Sequence, residues 1–135
     1  MKNNKRSRTF VAGIVLVLIC APLIYAKTVP SAPDGFYGWF EPEGEYVVLK
    51  WGRNPGGEGV DFYEVQRCDG LDPGPFYTID NKIPDPGSGT YVYYNDYTVD
   101  PEEYDYWQYH VRAHNSSGWG DYCQHEIVPV YPEKK

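Results

Sequence analysis

Apolar and aromatic residues recur at every second position in several short segments of this chain, the period that places alternate side chains on one face of a strand. In YVVLKW (46 to 51), Val47, Leu49 and Trp51 share a face. In FYEVQR (62 to 67), Tyr63 and Val65 are expected inside, with Glu64 and Gln66 turned to water. WQYHVRA (107 to 113) repeats the pattern: Trp107, Tyr109, Val111 and Ala113 inward, Gln108, His110 and Arg112 outward. YVYYNDYTV (91 to 99) has strand-favouring residues but no clear parity, and HEIVPV (125 to 130) reads as a last strand whose Pro129 suits an edge. The predicted core is therefore Leu49, Trp51, Tyr63, Val65, Trp107, Tyr109, Val111 and Ala113.

Between these segments lie turn-forming clusters, RNPGGEG (53 to 59), CDGLDPGP (68 to 75), IPDPGSG (83 to 89) and NSSGWGD (115 to 121). No segment requires a helix. About seven short strands joined by such turns predict an all-β, immunoglobulin-like sandwich of two antiparallel sheets.

The first 26 residues stand apart from this pattern. Lys2, Lys5, Arg6 and Arg8 precede the uncharged run FVAGIVLVLICAPLIYA, which reads as an export signal ending at Ala26. A retained anchor is the other reading, although the run is near the lower limit for a membrane span and Pro22 interrupts it. The expected organisation is thus a signal peptide over 1–26, one domain over 27–131 and a short polar tail over 132–135. The expected location is extracytoplasmic, secreted or in the cell envelope.

Removing those four basic residues from the chain's 12 leaves 8 against 19 acidic ones, a formal charge of −11. That sign disfavours phosphate backbones, so no nucleic-acid partner is expected, and membrane contact is expected only through an uncleaved N-terminal segment. No nucleophile elbow, phosphate-cradling loop or metal-ligand spacing is present, so neither an enzyme nor a cofactor is expected, and no metal.

Five motifs then fall in one order: PSAPDGF (30 to 36), V-x-L-x-W (47 to 51), YEVQR with its turn (63 to 70), D-x-x-V-x-P (96 to 101) and V-x-A-x-N-x-x-G (111 to 118). Over roughly residues 29 to 130 the chain resembles a fibronectin type III domain. The resemblance implies three strands in one sheet and four in the other, with Trp51 at the centre of the core beside Tyr63, Tyr109 and Val111. It also implies that Cys68 and Cys123 lie toward opposite poles, against the disulfide that export would otherwise favour. Their bridging stays open. In YDYW (104 to 107) the parity breaks, and a bulge or an extended corner is expected there.

In that topology the loops over 52–61, 84–90 and 115–121 meet at one end, and Trp119 lies in the last of them. It either folds back over Pro55 or Trp51, or serves as a recognition anchor rimmed by Arg53, Asn54, Asn115 and Asp121. Asn115-Ser116-Ser117 also matches a glycosylation pattern. Of 14 tyrosines, 13 follow the signal, more than one small core absorbs, so several are expected at the surface. The function expected is an exported, non-catalytic protein-binding or adhesion module acting through those loops. A carbohydrate-binding module stacking sugars on exposed aromatics, and a structural spacer of an envelope assembly, are the alternatives.

Overall fold

A computed structural model describes residues 27–71 and 74–131. The expected signal peptide and the polar tail lie outside the described residues. Within them are eight strands: β1 (Tyr37–Glu41), β2 (Tyr46–Gly52), β3 (Phe62–Asp69), β4 (Tyr77–Pro84), β5 (Tyr91–Asp96), β6 (Tyr106–Asn115), β7 (Gly118–Trp119) and β8 (Glu126–Pro129). One sheet runs β1-β2-β5, and the other runs β4-β3-β6 with β7 and β8 both paired to the far edge of β6, all neighbours antiparallel. This is the two-sheet division that the resemblance implies.

The period-two segments form the core between the sheets. Leu49, Trp51, Tyr63, Val65, Tyr109, Val111 and Ala113 are fully buried, Trp107 nearly so, and Val47, Val128 and Val130 complete the layer. The Trp51 and Tyr63 rings meet edge to face with centroids 5.4 Å apart, joining β2 of one sheet to β3 of the other. Parity in β5 becomes legible once its neighbour is known: Val92, Tyr94 and Asp96 point inward, and Tyr91, Tyr93 and Asn95 outward.

Asp96 on β5 is a carboxylate inside the sandwich. It receives Arg67 Nη1 at 2.8 Å and Tyr109 Oη at 3.0 Å from the opposite sheet, and Thr98 donates to it from both backbone and side chain. Arg67 also donates Nε to Tyr77 Oη at 2.9 Å, and its guanidinium lies 4.1 Å from the Trp107 ring centre. A buried charge is tolerable only when its counter-charge and hydrogen bonds are all in place, as here.

Several expectations are corrected. Two strands escaped the alternation, β1 and β4; β4 is an edge strand, largely exposed, and its pairing with β3 is interrupted by register shifts at Tyr63/Val65 and Val65/Gln66. Those shifts fall in β3 and β4, whereas β6 pairs with β3 without interruption from Phe62↔His114 to Asp69↔Trp107. At 100–105 the corner, one of the two alternatives expected there, is present: Asp100 O accepts from Glu103 N, and Tyr104 packs edge-on against Trp107 at 5.2 Å. Glu64 and Gln108 are buried, not turned to water, because long neighbouring side chains close over the outer face of their sheet. Cys68 and Cys123 stand as thiols and are not joined to each other; Cys68 Sγ donates to Gly74 O, and Cys123 Sγ accepts Val111 N.

Asp96→Ala is expected to cost about 3–5 kcal/mol by urea unfolding, because it strands the Arg67 charge inside the sandwich. The double variant Asp96→Ala/Arg67→Met should be less destabilised than the single one.

Candidate functional site

Trp119 does not cover the end of the sandwich. Gly118, at φ 123°, turns the chain so that Trp119 pairs with His114 as strand β7, and its ring lies on the outer face of the β4-β3-β6 sheet. There it meets Phe62 and His114 edge-on at 5.4 and 4.8 Å, while those two stack on each other at 4.3 Å. The Arg112 guanidinium sits between Trp119 and Tyr122, 4.5 and 4.6 Å from their ring centres. Tyr122 stacks on His110 at 3.9 Å, and His110 on Phe76 at 4.1 Å. These groups form one ladder along the sheet, each ring using its faces on its neighbours.

Glu64 anchors the ladder from beneath. Its carboxylate accepts from Arg112 Nε at 2.6 Å, Thr78 Oγ1 at 2.5 Å and Tyr122 Oη at 3.2 Å. Burial works to raise its pKa, but the hydrogen bonds from Thr78 and Arg112 and the Arg112 charge overcome it, leaving the carboxyl below its usual range. His110 goes the other way. Burial first, then the neighbouring His125, pushes its pKa down to about 4 against the pull of Glu64, so the ring is neutral at pH 7.

At the pole where the loops over 52–61, 84–90 and 115–121 do meet, the expected polar rim is committed to holding the loops together. Arg53 pairs with Asp85 at 2.8 Å, and its N–H bonds to Thr90 O. Asn54, buried, donates to Ser31 O at 2.9 Å and Glu58 Oε2 at 2.7 Å. Asn115, 1% exposed, donates Nδ2 to Thr28 O and Glu58 O, so the glycosylation pattern has its amide nitrogen buried and occupied. Gly120 approaches Pro30 so closely that a Cβ there would lie 2.1 Å from the Pro30 carbonyl oxygen. Of the expected rim, Asp121 alone is exposed.

Aromatic side chains that stay about half exposed lie elsewhere, on the outer face of the β1-β2-β5 sheet. Register sets Tyr37, Lys50 and Tyr93 in one row across the three strands and Trp39, Val48 and Asn95 in the next, with Tyr91 opposite Gly52. Tyr37 is 56% exposed, Tyr91 47%, Tyr93 57% and Tyr97 67%. Tyr37 and Trp39 lie near-parallel with centroids 5.9 Å apart, and Tyr46 packs on Tyr97 at 4.8 Å. The polar groups among the rings are few. Lys50 Nζ sits 3.8 Å above the Tyr91 ring, Glu41 accepts from Trp39 Nε1 at 2.6 Å, and Asn95 donates to Tyr97 Oη at 3.0 Å. Past the β1 edge the surface continues into a groove of about 270 Å³ bordered by Trp39, Pro42, Pro129 and Tyr131.

Nothing in the sequence singled out this surface. An excess of tyrosine was legible, but β1 was not read as a strand and the parity of β5 was unresolved, so the rows could not be assembled.

No protein-family model matches the chain, and no curated protein sequence does. Solved structures do match in shape. A fibronectin type III-like protein from Clostridium thermocellum superposes with a TM-score of 0.60 over 80% of this chain and 99% of that one, at 23% identity. The third fibronectin type III domain of the human KIAA0343 protein gives 0.54 over 82% and 90%, at 13% identity. The FN1–FN3 domains of chicken CNTN1 give 0.55 over 76% of this chain and 34% of that one, at 15% identity. The chain has the fibronectin type III fold. That fold serves binding and structural modules alike, so the particular role has to be argued from surfaces.

Trp119→Ala is expected to lower stability by about 1–3 kcal/mol, since it uncovers Arg112 and opens the ladder; urea unfolding measures it. For His110 the pKa falls from its ordinary 6.5 to about 4 on folding, so its stabilising contribution is complete above pH 6.5 and is lost as pH drops from there through about 4. NMR titration should place the His110 midpoint near 4, and His110→Gln should flatten the pH dependence of stability across that window.

Proposed function

We propose that this protein is an exported, non-catalytic binding module that works outside the cytoplasm and meets its partner, at the cell surface or in the medium, through the outer face of the β1-β2-β5 sheet. One observation carries the reading: Tyr37, Tyr91 and Tyr93, each about half exposed or more, share a single strand-built surface, and Tyr97 adjoins it in the turn after β5. Rigid Tyr and Trp side chains supply contact area at low conformational-entropy cost, which is why they dominate recognition surfaces. The composition of residues 1–26 supports export. At the loop end, first expected to hold the contact, Arg53, Asn54 and Asn115 are engaged in fastening one segment to another.

A spacer role is the second reading. The described chain enters at the loop pole, where Lys27 O accepts from Ser117 Oγ, and leaves past Pro129, which pairs with Tyr106 at the opposite end of β6. A module threaded pole to pole suits a position between two other segments.

Affinity capture from envelope and culture-medium fractions separates the two. The parent and Trp119→Ala should retain the same material, and Tyr37→Ala/Tyr93→Ala should lose it while melting like the parent. Equal retention by all three proteins would remove the sheet face as the contact, and no specific retention by any would leave the spacer.

A further inference from the structure

Resting on that reading of the sheet face, we propose that its ligand is an uncharged, extended polysaccharide of equatorially linked sugars, lying across the strands along the Tyr37–Lys50–Tyr93 row.

The chemistry of the surface selects this class. The exposed apolar area on the face is aromatic: Val48, the aliphatic residue among the rows, is only 8% exposed. A protein contact centred on hot spots needs an anchor seated in a well-packed, desolvated pocket. A strand-built platform presents instead half-exposed rings bordered by hydroxyl groups. A sugar ring with equatorial hydroxyls is complementary to that. Its axial C–H groups make an apolar face for the aromatic ring, and its hydroxyls project sideways toward donors and acceptors.

Those donors and acceptors are present between the rings. Lys50 belongs to the central row by register, and its ammonium leans over the Tyr91 ring, 3.8 Å from that ring centre and 5.8 Å from that of Tyr93. The Asn95 amide lies in the next row, and the Glu41 carboxylate lies beside Trp39. One cation and one anion leave the rows without net charge. Glu43 and Glu45 in the adjoining turn, and a chain of formal charge −7, disfavour an anionic polymer.

Length provides an independent match. Tyr37 and Tyr93 are separated by two strand spacings, about 10 Å, with Lys50 between them in register. That is the length of two sugar units in an extended chain, where every second unit presents the same face. The two rings therefore address equivalent faces of alternate sugars, and Lys50 meets the hydroxyls of the unit between them. The groove bordered by Trp39, Pro129 and Tyr131 continues the track past the β1 edge, so a chain longer than a disaccharide gains further contact.

The test mixes the purified protein with insoluble cellulose, with soluble neutral β-glucan and xylan, and with polygalacturonate as the anionic control. Depletion from solution and quenching of tryptophan fluorescence read binding. The expected result is binding to at least one neutral polymer and none to polygalacturonate. Tyr37→Ala/Tyr93→Ala should weaken it at least tenfold at an unchanged melting temperature, while Trp119→Ala leaves it intact. Lys50→Met should weaken it by a smaller factor without abolishing it. Absence of binding to every neutral polymer, or binding that the double tyrosine variant retains, overturns the proposal. If no neutral polymer binds while the capture experiment still loses its material with the tyrosine variant, the sugar assignment falls, the contact face stands, and the partner is a protein.

Discussion

The two sheets of this sandwich are fastened by a charged bond in a place where charge is hardest to keep. Arg67 of β3 reaches across the interior to Asp96 of β5, and Tyr109, Thr98, Tyr77 and the Trp107 ring satisfy what the pair leaves over. Apolar packing between sheets is non-directional and tolerates sliding. A carboxylate that loses every partner if it shifts by one residue does not. The bond therefore selects one register of β5 against β2, and that register decides which tyrosines of β5 face outward. The aromatic surface is a downstream result of a bond on the other side of the same strand.

The molecule treats aromatic residues in two opposite ways. On the β4-β3-β6 sheet, Phe62, His114, Trp119, Arg112, Tyr122, His110 and Phe76 use one another's faces and shield Glu64. On the β1-β2-β5 sheet the rings remain about half exposed. The difference lies in what stands between them. Arg112 has a planar guanidinium that fills the gap between two rings and bonds to a buried carboxylate, whereas Lys50 has a point charge on a flexible stem and rests on one ring. A planar cation closes an aromatic array, and a small mobile one leaves it open.

Much of the fold could be read from alternation, because Leu49, Trp51, Tyr63, Val65, Trp107, Tyr109, Val111 and Ala113 occupy central strands that are buried on one face, where the period-two signal is strongest. It failed at the edges. Tyr77–Pro84 is exposed along most of its length and interrupted by register shifts, and the two side chains it sends to the core, Ile79 and Ile83, lie too far apart to show alternation. Glu64 and Gln108 were read as surface residues because alternation reports which face of a sheet a residue occupies, not whether long neighbours later cover that face. Trp119 was placed correctly on the chain and incorrectly in space. Its destination depends on Gly118, whose φ of 123° turns the chain, and on Arg112, whose guanidinium meets the ring; alternation reports neither, and the loop composition that suggested recognition also suits a two-residue strand. The tyrosine surface was the least legible feature, since it exists only once β5, from far along the chain, is laid beside the consecutive strands β1 and β2.

The fastening of residues 27–31 to the loop pole gives the domain a defined attachment point. Asn115 and Ser117 hold the carbonyls of Thr28 and Lys27, and Asn54 and Glu58 hold Ser31. Lys27, the first of the described residues, is thereby fixed at that pole. A pull applied at Lys27 therefore reaches the loop pole through these hydrogen bonds before it reaches β1.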